Sequence, residues 1–196
     1  MFNNLIKRQM QPYLRQVELY GEMRRVWAKH VWWTREVAIN ILNGLPSTTV
    51  TVNKLLQNPV EMGDVFGGYY SDRSVRKIEE LFTAHLKQGG DIMTAAKAGD
   101  MQKVEDLTRA WYANADDIAK FFASINSHYS ESEVKRMMYE HLRLTLLEVS
   151  QMIQQKFEQA ITTFDQIQKE AEMMADYFTR GIAAQFPEKL GQPVAL

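Results

Sequence analysis

The chain has 196 residues, of which 45% are hydrophobic and 24% charged, and it contains no cysteine and only four histidines. This is the composition of a folded globular protein, and the lack of cysteine excludes disulfide scaffolds, thiolate zinc sites and iron–sulfur clusters. A formal net charge of −1 argues against a protein that coats nucleic acid, and no run of about 18 apolar residues predicts a membrane span. Since residues 1–15 also lack the apolar core of a secretion signal, we expect a cytoplasmic protein.

Apolar residues recur every three or four positions in five long segments, and no segment alternates with the period of two that is typical of a strand. The predicted helices are 16–43, 72–98, 100–125, 131–153 and about 157–184. Ser71 or Asp72 is a plausible N-cap of the second helix and Ser130 of the fourth, while Gly99 ends the second. No glycine or proline separates the last two helices, but the apolar pattern shifts phase at 154–156, which favours a break over one long bent helix.

The connection 44–71 differs from the rest because it contains four glycines and two prolines between short apolar stretches. Connections of this length in compact domains are usually partly structured or functional, and here the apolar content predicts one or two short helices capping an end of the bundle. The short links elsewhere predict antiparallel neighbours. We therefore expect an all-α fold, an antiparallel up-and-down bundle of four to five long helices in one domain, 1–186, followed by a C-terminal tail, 187–196.

Three of the four histidines lie on the apolar stripe of a predicted helix, each near its middle. They are His30, His85 and His141, and Asn114 lies at the middle of the third helix. Because equal distance from the ends means equal height in antiparallel helices of similar length, we predict that these four side chains converge in one layer. His128 falls in the loop before Ser130 and is predicted to be exposed.

Other polar residues lie close to this predicted layer. Thr34 and Thr145 each follow a histidine by four residues, which puts both side chains of each pair on one helix face. Glu148 lies two turns beyond the third histidine on the same stripe, and a buried carboxylate requires a cation, a metal or a strong donor. Arg35 is a candidate partner for it.

Three interpretations of the layer stay open. In the first, His30, His85 and His141, with Glu148 or a water, hold a divalent metal such as Zn²⁺, Fe²⁺ or Mn²⁺. In the second, they line a pocket for a small ligand, with histidine as acid or base. In the third, the buried His, Asn and Thr groups only fix helix register, as in a structural or interaction module.

The leading hypothesis is a soluble helical bundle whose central polar site binds a metal or a small ligand. No Glu-x-x-His pair occurs, so the ferritin-like di-iron pattern is absent. No nucleophile stands beside a histidine, so the sequence assigns no reaction. No nucleic-acid or membrane partner is expected, and Trp32 and Trp33 offer apolar contacts for a homodimer.

Four stretches of the chain resemble a family of bacterial all-helical proteins that has no established activity. The stretches are Trp27–Arg35, Leu55–Pro59, Trp111–Asp116 and Tyr139–Leu142, and the likeness extends from about residue 20 to 186. Some members carry the label acetylglutamate kinase, but amino-acid kinases similar to that enzyme have an α/β sandwich with glycine-rich phosphate loops, and neither is predicted here. The resemblance therefore implies a helical fold and adds no chemistry.

Overall fold

A computed structural model of the protein describes the backbone of residues 2–191 and the side chains of residues 11–191. Over this range the chain is almost entirely helical and has no strand, which confirms the all-α prediction. The helices are α1 (Phe2–Asn43), α2 (Thr48–Leu55), α3 (Asn58–Gly67), α4 (Asp72–Ala98), α5 (Met101–Ile125), α6 (Glu131–Ile153), α7 (Phe157–Gln185) and α8 (Pro187–Leu190). None of these helices is both long and apolar enough to cross a membrane.

The long helices after α1 begin and end at or within one residue of their predicted limits, because side-chain caps fix several of the starts. The side-chain oxygens of Ser71, Asp100 and Ser130 accept backbone N–H bonds three residues ahead, at 3.1–3.4 Å. The break favoured at 154–156 is present between α6 and α7. α1 is longer than predicted and extends back to Phe2.

The helices are arranged as three antiparallel hairpins, each reversing at a residue with a left-handed backbone. α1 pairs with α2 and α3, α4 with α5, and α6 with α7. The turning residues are Gly44 (φ 63°), Gly99 (φ 73°) and Gln155 (φ 58°), which lie 55 and 56 residues apart. The hairpins stand side by side, with α3 on α4 and α5 on α6, and α7 returns to α1. The result is a closed ring of six helical positions rather than a bundle of four or five helices.

The connection 44–71 and the predicted tail both take part in this ring. The connection forms two short helices as expected, but α2 and α3 do not cap an end: they follow one another between α1 and α4 and fill the sixth position. Residues 187–190, predicted as tail, form α8, whose Leu190 is fully buried and accepts a bond from Gln16 on α1. Residues 192–196 lie outside the described residues.

The three hairpins repeat one structural unit at a spacing of 55 or 56 residues, so the domain has approximate threefold internal symmetry. Phe66, Phe122 and Phe178, at a spacing of 56, meet with ring centroids 4.5–6.0 Å apart. Two further equivalent sets have no exposed surface, namely Met23, Ile78 and Val134, and Met62, Ile118 and Met174. Equivalent positions of the three units are therefore buried together in the core, and the three phenylalanines meet there directly.

Candidate functional site

The three mid-helix histidines meet in the interior of the ring, one from each hairpin. Their ring centroids are 5.5 Å apart for His30 and His141, 6.4 Å for His85 and His141, and 6.5 Å for His30 and His85. All three are at most 2% exposed. The convergence predicted from their helix positions is thus confirmed, and it follows from the threefold repeat. His128, as predicted, is exposed.

In the first two hairpins, an asparagine on the returning helix orients the histidine. His30 Nδ1 lies 3.1 Å from Asn58 Oδ1, and the Asn58 amide donates in turn to the carbonyl of Val26 at 2.9 Å. The second hairpin repeats both bonds at equivalent positions, from His85 Nδ1 to Asn114 Oδ1 at 2.9 Å and from the Asn114 amide to Leu81 O at 3.2 Å. Asn114, predicted as part of the site, therefore acts on His85 through Nδ1.

These bonds fix the tautomer of both rings. The side-chain nitrogen of each asparagine donates to a backbone carbonyl, so its side-chain oxygen faces the imidazole ring. Because that oxygen can only accept a hydrogen bond, Nδ1 of the ring carries the proton and Nε2 keeps its lone pair. Burial lowers the pKa of His30 to about 3 and holds the pKa of His85 well below its usual 6.5. Both imidazoles are consequently neutral at physiological pH. His85 Nε2 is buried without a hydrogen-bond partner among the described residues.

The third hairpin places a carboxylate where the other two have an amide. Glu170 occupies the position equivalent to the two asparagines, and its Oε2 lies 3.2 Å from His141 Nδ1, out of line for a hydrogen bond. It is 4% exposed, and neither carboxylate oxygen has a hydrogen-bond partner among the described residues. Glu170 was not predicted as a site residue. The 56-residue spacing of Asn58, Asn114 and Glu170 is the signal that identifies it.

The carbonyls of the three histidines each accept one further bond, and here the second hairpin differs. Thr34 and Thr145 donate to the carbonyls of His30 and His141 at 2.8 and 2.9 Å, so these hydroxyls serve their own helices. The equivalent position in the second hairpin is Gly89. Trp111 fills the space left by the missing side chain, and its indole N–H donates to the carbonyl of His85 at 2.9 Å.

A small cavity of about 20 Å³ adjoins the imidazoles on the side of Thr34 and Thr145. Its lining includes all three histidines together with Gly89, Gly90 and several apolar side chains. A space of this size has room for one water-sized group. The cavity therefore gives the three rings one shared position that a single small atom or group can occupy.

Glu148 lies away from this cavity and has its own partner. It forms a buried ion pair with Arg35, the residue that the sequence offered as its candidate partner. Burial lowers the pKa of Arg35, and its guanidinium also lies 4.6 Å from the ring centroid of Phe164. Glu148 does not line the histidine cavity. The carboxylate next to the histidines is Glu170 instead.

As they stand, the described side chains do not form a closed metal site: no three His, Asp or Glu groups in this part of the chain are close enough to hold an ion. In a tetrahedral site made by three imidazoles, the ion lies about 2.1 Å from each Nε2. This places the centroids of the three rings about 5.2 Å apart. The spacing of His30 and His141 is near this value, and His85 is about 1 Å too distant from the other two.

Comparison of the chain with protein-family models, with curated proteins and with solved structures finds no match. The function is therefore argued from the geometry of the histidine layer and from the internal repeat.

Proposed function

We propose that the protein binds one divalent transition-metal ion through the Nε2 atoms of His30, His85 and His141. The observation that carries the proposal is that all three rings direct Nδ1 toward an oxygen on the returning helix of their own hairpin. Histidines that ligate metals through one ring nitrogen almost always hold the other against a carboxylate, a carbonyl or a water, which sets the tautomer and the ring orientation. With Nδ1 facing these oxygens, Nε2 is the nitrogen that each ring would offer to an ion.

The protonation state of the site also supports the proposal. A metal binds the neutral imidazole, and two of the three rings are held neutral by burial, so they need to release no proton when an ion binds. Closing the site requires His85 to move about 1 Å toward the other rings.

Glu170 supplies a carboxylate next to one of the proposed ligands. Its Oε2 lies 3.2 Å from His141 Nδ1, the position that a carboxylate supporting a metal-bound histidine takes. Imidazole ligands suit zinc, iron, copper and nickel, whereas manganese prefers oxygen ligands, so Zn²⁺ and Fe²⁺ are favoured over Mn²⁺. The small cavity has room for one water-sized group, so the ion itself would fill the position that the three rings share.

Metal titration of protein purified without a histidine tag tests the proposal. After treatment with a chelator, we expect one Zn²⁺ or Co²⁺ per chain by calorimetry, with the visible absorption of tetrahedral Co²⁺. His85→Ala should weaken this binding at least 100-fold, because it removes one of three ligands. His128→Ala removes an exposed histidine and is the matched control, which should bind as the parent protein does.

The alternative function, a module in which the polar layer only fixes helix register, predicts a different result. Uptake below about 0.1 ion per chain, with a cooperative fold kept by the metal-free protein, would overturn the metal proposal and favour this alternative. Equal loss of binding in His85→Ala and in His128→Ala would also count against a site at the layer.

A further inference from the structure

We infer that a groove at the turn end of the ring binds a small monocarboxylate with an alkyl body. The groove, which we call the turn-end groove, has a volume of about 440 Å³ and lies where α1, α4, α6 and α7 meet near the hairpin turns. This volume is within the range of small-molecule pockets. None of the three buried histidines lines the groove, so the inference does not depend on the proposed metal site.

All three hairpins contribute to the turn-end groove from the same position, two residues before the turn. The residues are Leu42, Lys97 and Ile153. The first and the third are aliphatic, whereas the second is a lysine. One ammonium group is therefore placed beside apolar side chains of the other two hairpins, and the repeat identifies Lys97 as the departure from an apolar pattern.

Lys97 is held in place and keeps donors for a ligand. Its Nζ donates to the carbonyl of Ile41 at 2.6 Å, which uses one of its three N–H groups. No carboxylate of the described residues forms an ion pair with Lys97, and no aspartate or glutamate is among the residues that line the groove. An anionic group placed here would therefore receive a charge-assisted hydrogen bond.

The second cation of the groove, Arg35, already has partners. It forms the ion pair with Glu148, and Glu36 and Asp165 also attract its guanidinium. Arg35 lies six residues, about 9 Å, before Ile41 on α1. These carboxylates act at the Arg35 end of the groove, so Lys97 is the cation that would bind an anionic group.

Gln155 lines the groove from a backbone position that favours glycine. Its φ is 58°, and the equivalent turns have Gly44 and Gly99. A Cβ atom built on Gly99 would meet nothing within 4 Å, so glycine is used there for its backbone and not for lack of space. Glutamine is unfavourable in this conformation, and no described residue bonds its side-chain amide. Binding of a ligand gives this side chain a role that the turn itself does not.

The walls beyond these polar groups are apolar and incompletely covered. Ile153, Phe157 and Ile161 line the groove and are 46–60% exposed. Large apolar side chains that are exposed together mark interaction sites. An apolar ligand body would remove them from water, which is favourable.

The class of ligand follows from these two kinds of group. A carboxylate has two oxygens, which can accept hydrogen bonds from Lys97 Nζ and from the Gln155 amide. Its single charge matches one ammonium group. The aliphatic walls favour an alkyl chain as the body of the ligand.

Calorimetric titration of the protein in the presence of a chelator tests the inference with three probes: octanoate, acetate and octylammonium. We expect octanoate to bind at least tenfold more tightly than acetate, which lacks the chain, and than octylammonium, which has the chain and the opposite charge. Equal affinities for octanoate and octylammonium would overturn the assignment of a carboxylate. Equal affinities for octanoate and acetate would overturn the role of the apolar walls.

Lys97→Met removes the ammonium group and keeps the length of the side chain, so octanoate should bind at least tenfold more weakly. Lys87→Met is the matched control, because Lys87 is exposed on the same helix beside another groove, of about 300 Å³. Octanoate affinity should be unchanged in the control. Weaker binding in Lys87→Met with none in Lys97→Met would place the ligand in that other groove and overturn the inference.

Gln155→Gly gives the third turn the residue of the other two, so the Tm should stay the same or rise. Octanoate should bind about threefold more weakly, because one hydrogen bond to the carboxylate is lost. Unchanged octanoate binding in both Lys97→Met and Gln155→Gly overturns the inference, whatever the result of the metal titration.

Discussion

The first two hairpins differ from the third in the side chain that the returning helix places beside the buried histidine. Each brings one buried histidine to the axis with an oxygen from the returning helix near its Nδ1. Asn58 and Asn114 bond that nitrogen through an amide oxygen, whereas Glu170 places a carboxylate 3.2 Å away without a hydrogen bond. The amides complete their own hydrogen bonds to backbone carbonyls. The carboxylate has no such partner among the described residues. The third hairpin therefore has a carboxyl group where the other two have an amide, and this group lies next to the histidine layer.

The largest expected effect comes from adding a second buried carboxyl group. Asn114→Glu puts a carboxylate in the second hairpin and removes the donor to Leu81 O, so we expect the free energy of unfolding of the metal-free protein to fall by about 4 kcal/mol. Urea denaturation in the presence of a chelator measures this change. Asn53→Glu, at an exposed position of α2, is the control and should change the stability little. An unchanged stability in Asn114→Glu would show that the interior accepts charge freely.

Acid should destabilise the protein through the neutral histidines of the first two hairpins. The folded protein keeps His30 neutral down to about pH 3, while the unfolded chain takes up a proton near pH 6.5. The unfolded state therefore binds more protons between these values, so stability falls as pH decreases from about 6.5 to 3. The contribution of His30 between pH 7 and pH 4 is about 3 kcal/mol.

Urea denaturation of the parent and of His30→Leu at several pH values between 4 and 7 checks this contribution. The variant should lose about 3 kcal/mol less than the parent over the same range. His128→Leu changes an exposed histidine and should retain the slope of the parent. Identical slopes for the parent and His30→Leu would contradict a neutral, buried His30.

Glu170→Asn removes the difference between the hairpins. The new amide can bond His141 and donate to the carbonyl of Met137, which is equivalent to Val26 and Leu81, so the metal-free protein should gain about 1–2 kcal/mol. Metal affinity should fall 10- to 100-fold, because the carboxylate supporting a ligand is lost. Calorimetric titration and thermal unfolding measure the two effects, with the exposed Glu172→Asn as control. Lower stability together with unchanged metal affinity would contradict the role given to Glu170.

The smallest effect concerns the hydroxyls beside the layer. Thr145→Val keeps the shape of the side chain and removes only the bond to His141 O, so we expect a loss of about 0.5 kcal/mol. Thr162→Val removes a similar bond, to Glu158 O, on the exposed face of α7 and is the control. Chemical denaturation of both variants compares them. A loss above about 2 kcal/mol in Thr145→Val would mean that its hydroxyl supports the layer more directly than through its own helix.

The helices and the histidine layer could be predicted from the sequence because both depend on local patterns. Ser71 and Ser130 as caps and the 3–4 spacing of apolar residues set the limits of α4 and α6, and the mid-helix positions of the histidines set their height. These features can be identified without knowing which helices are neighbours in the fold.

The ring and Glu170 could not be predicted in the same way, because both depend on long-range pairing. α2 and α3 carry weak individual patterns, and their place between α1 and α4 follows only from the hairpin repeat. Glu148 was predicted as a site residue because it shares a helix stripe with His141. It lies two turns away from that histidine and forms an ion pair with Arg35 instead. Glu170 is 29 residues from His141 in the chain and adjacent to it only across the hairpin.

The closure of the ring by α7 on α1 has a consequence for how the protein folds. Contacts inside each hairpin join residues about 30 positions apart, as with His85 and Asn114, whereas the contact between Arg24 and Asp176 spans 152 positions. Local contacts form quickly, and those that close a long loop form late because of their entropic cost. The three hairpins should therefore assemble first and the α1–α7 edge last. The amides along that edge should be the first of the core helices to exchange their hydrogens with solvent.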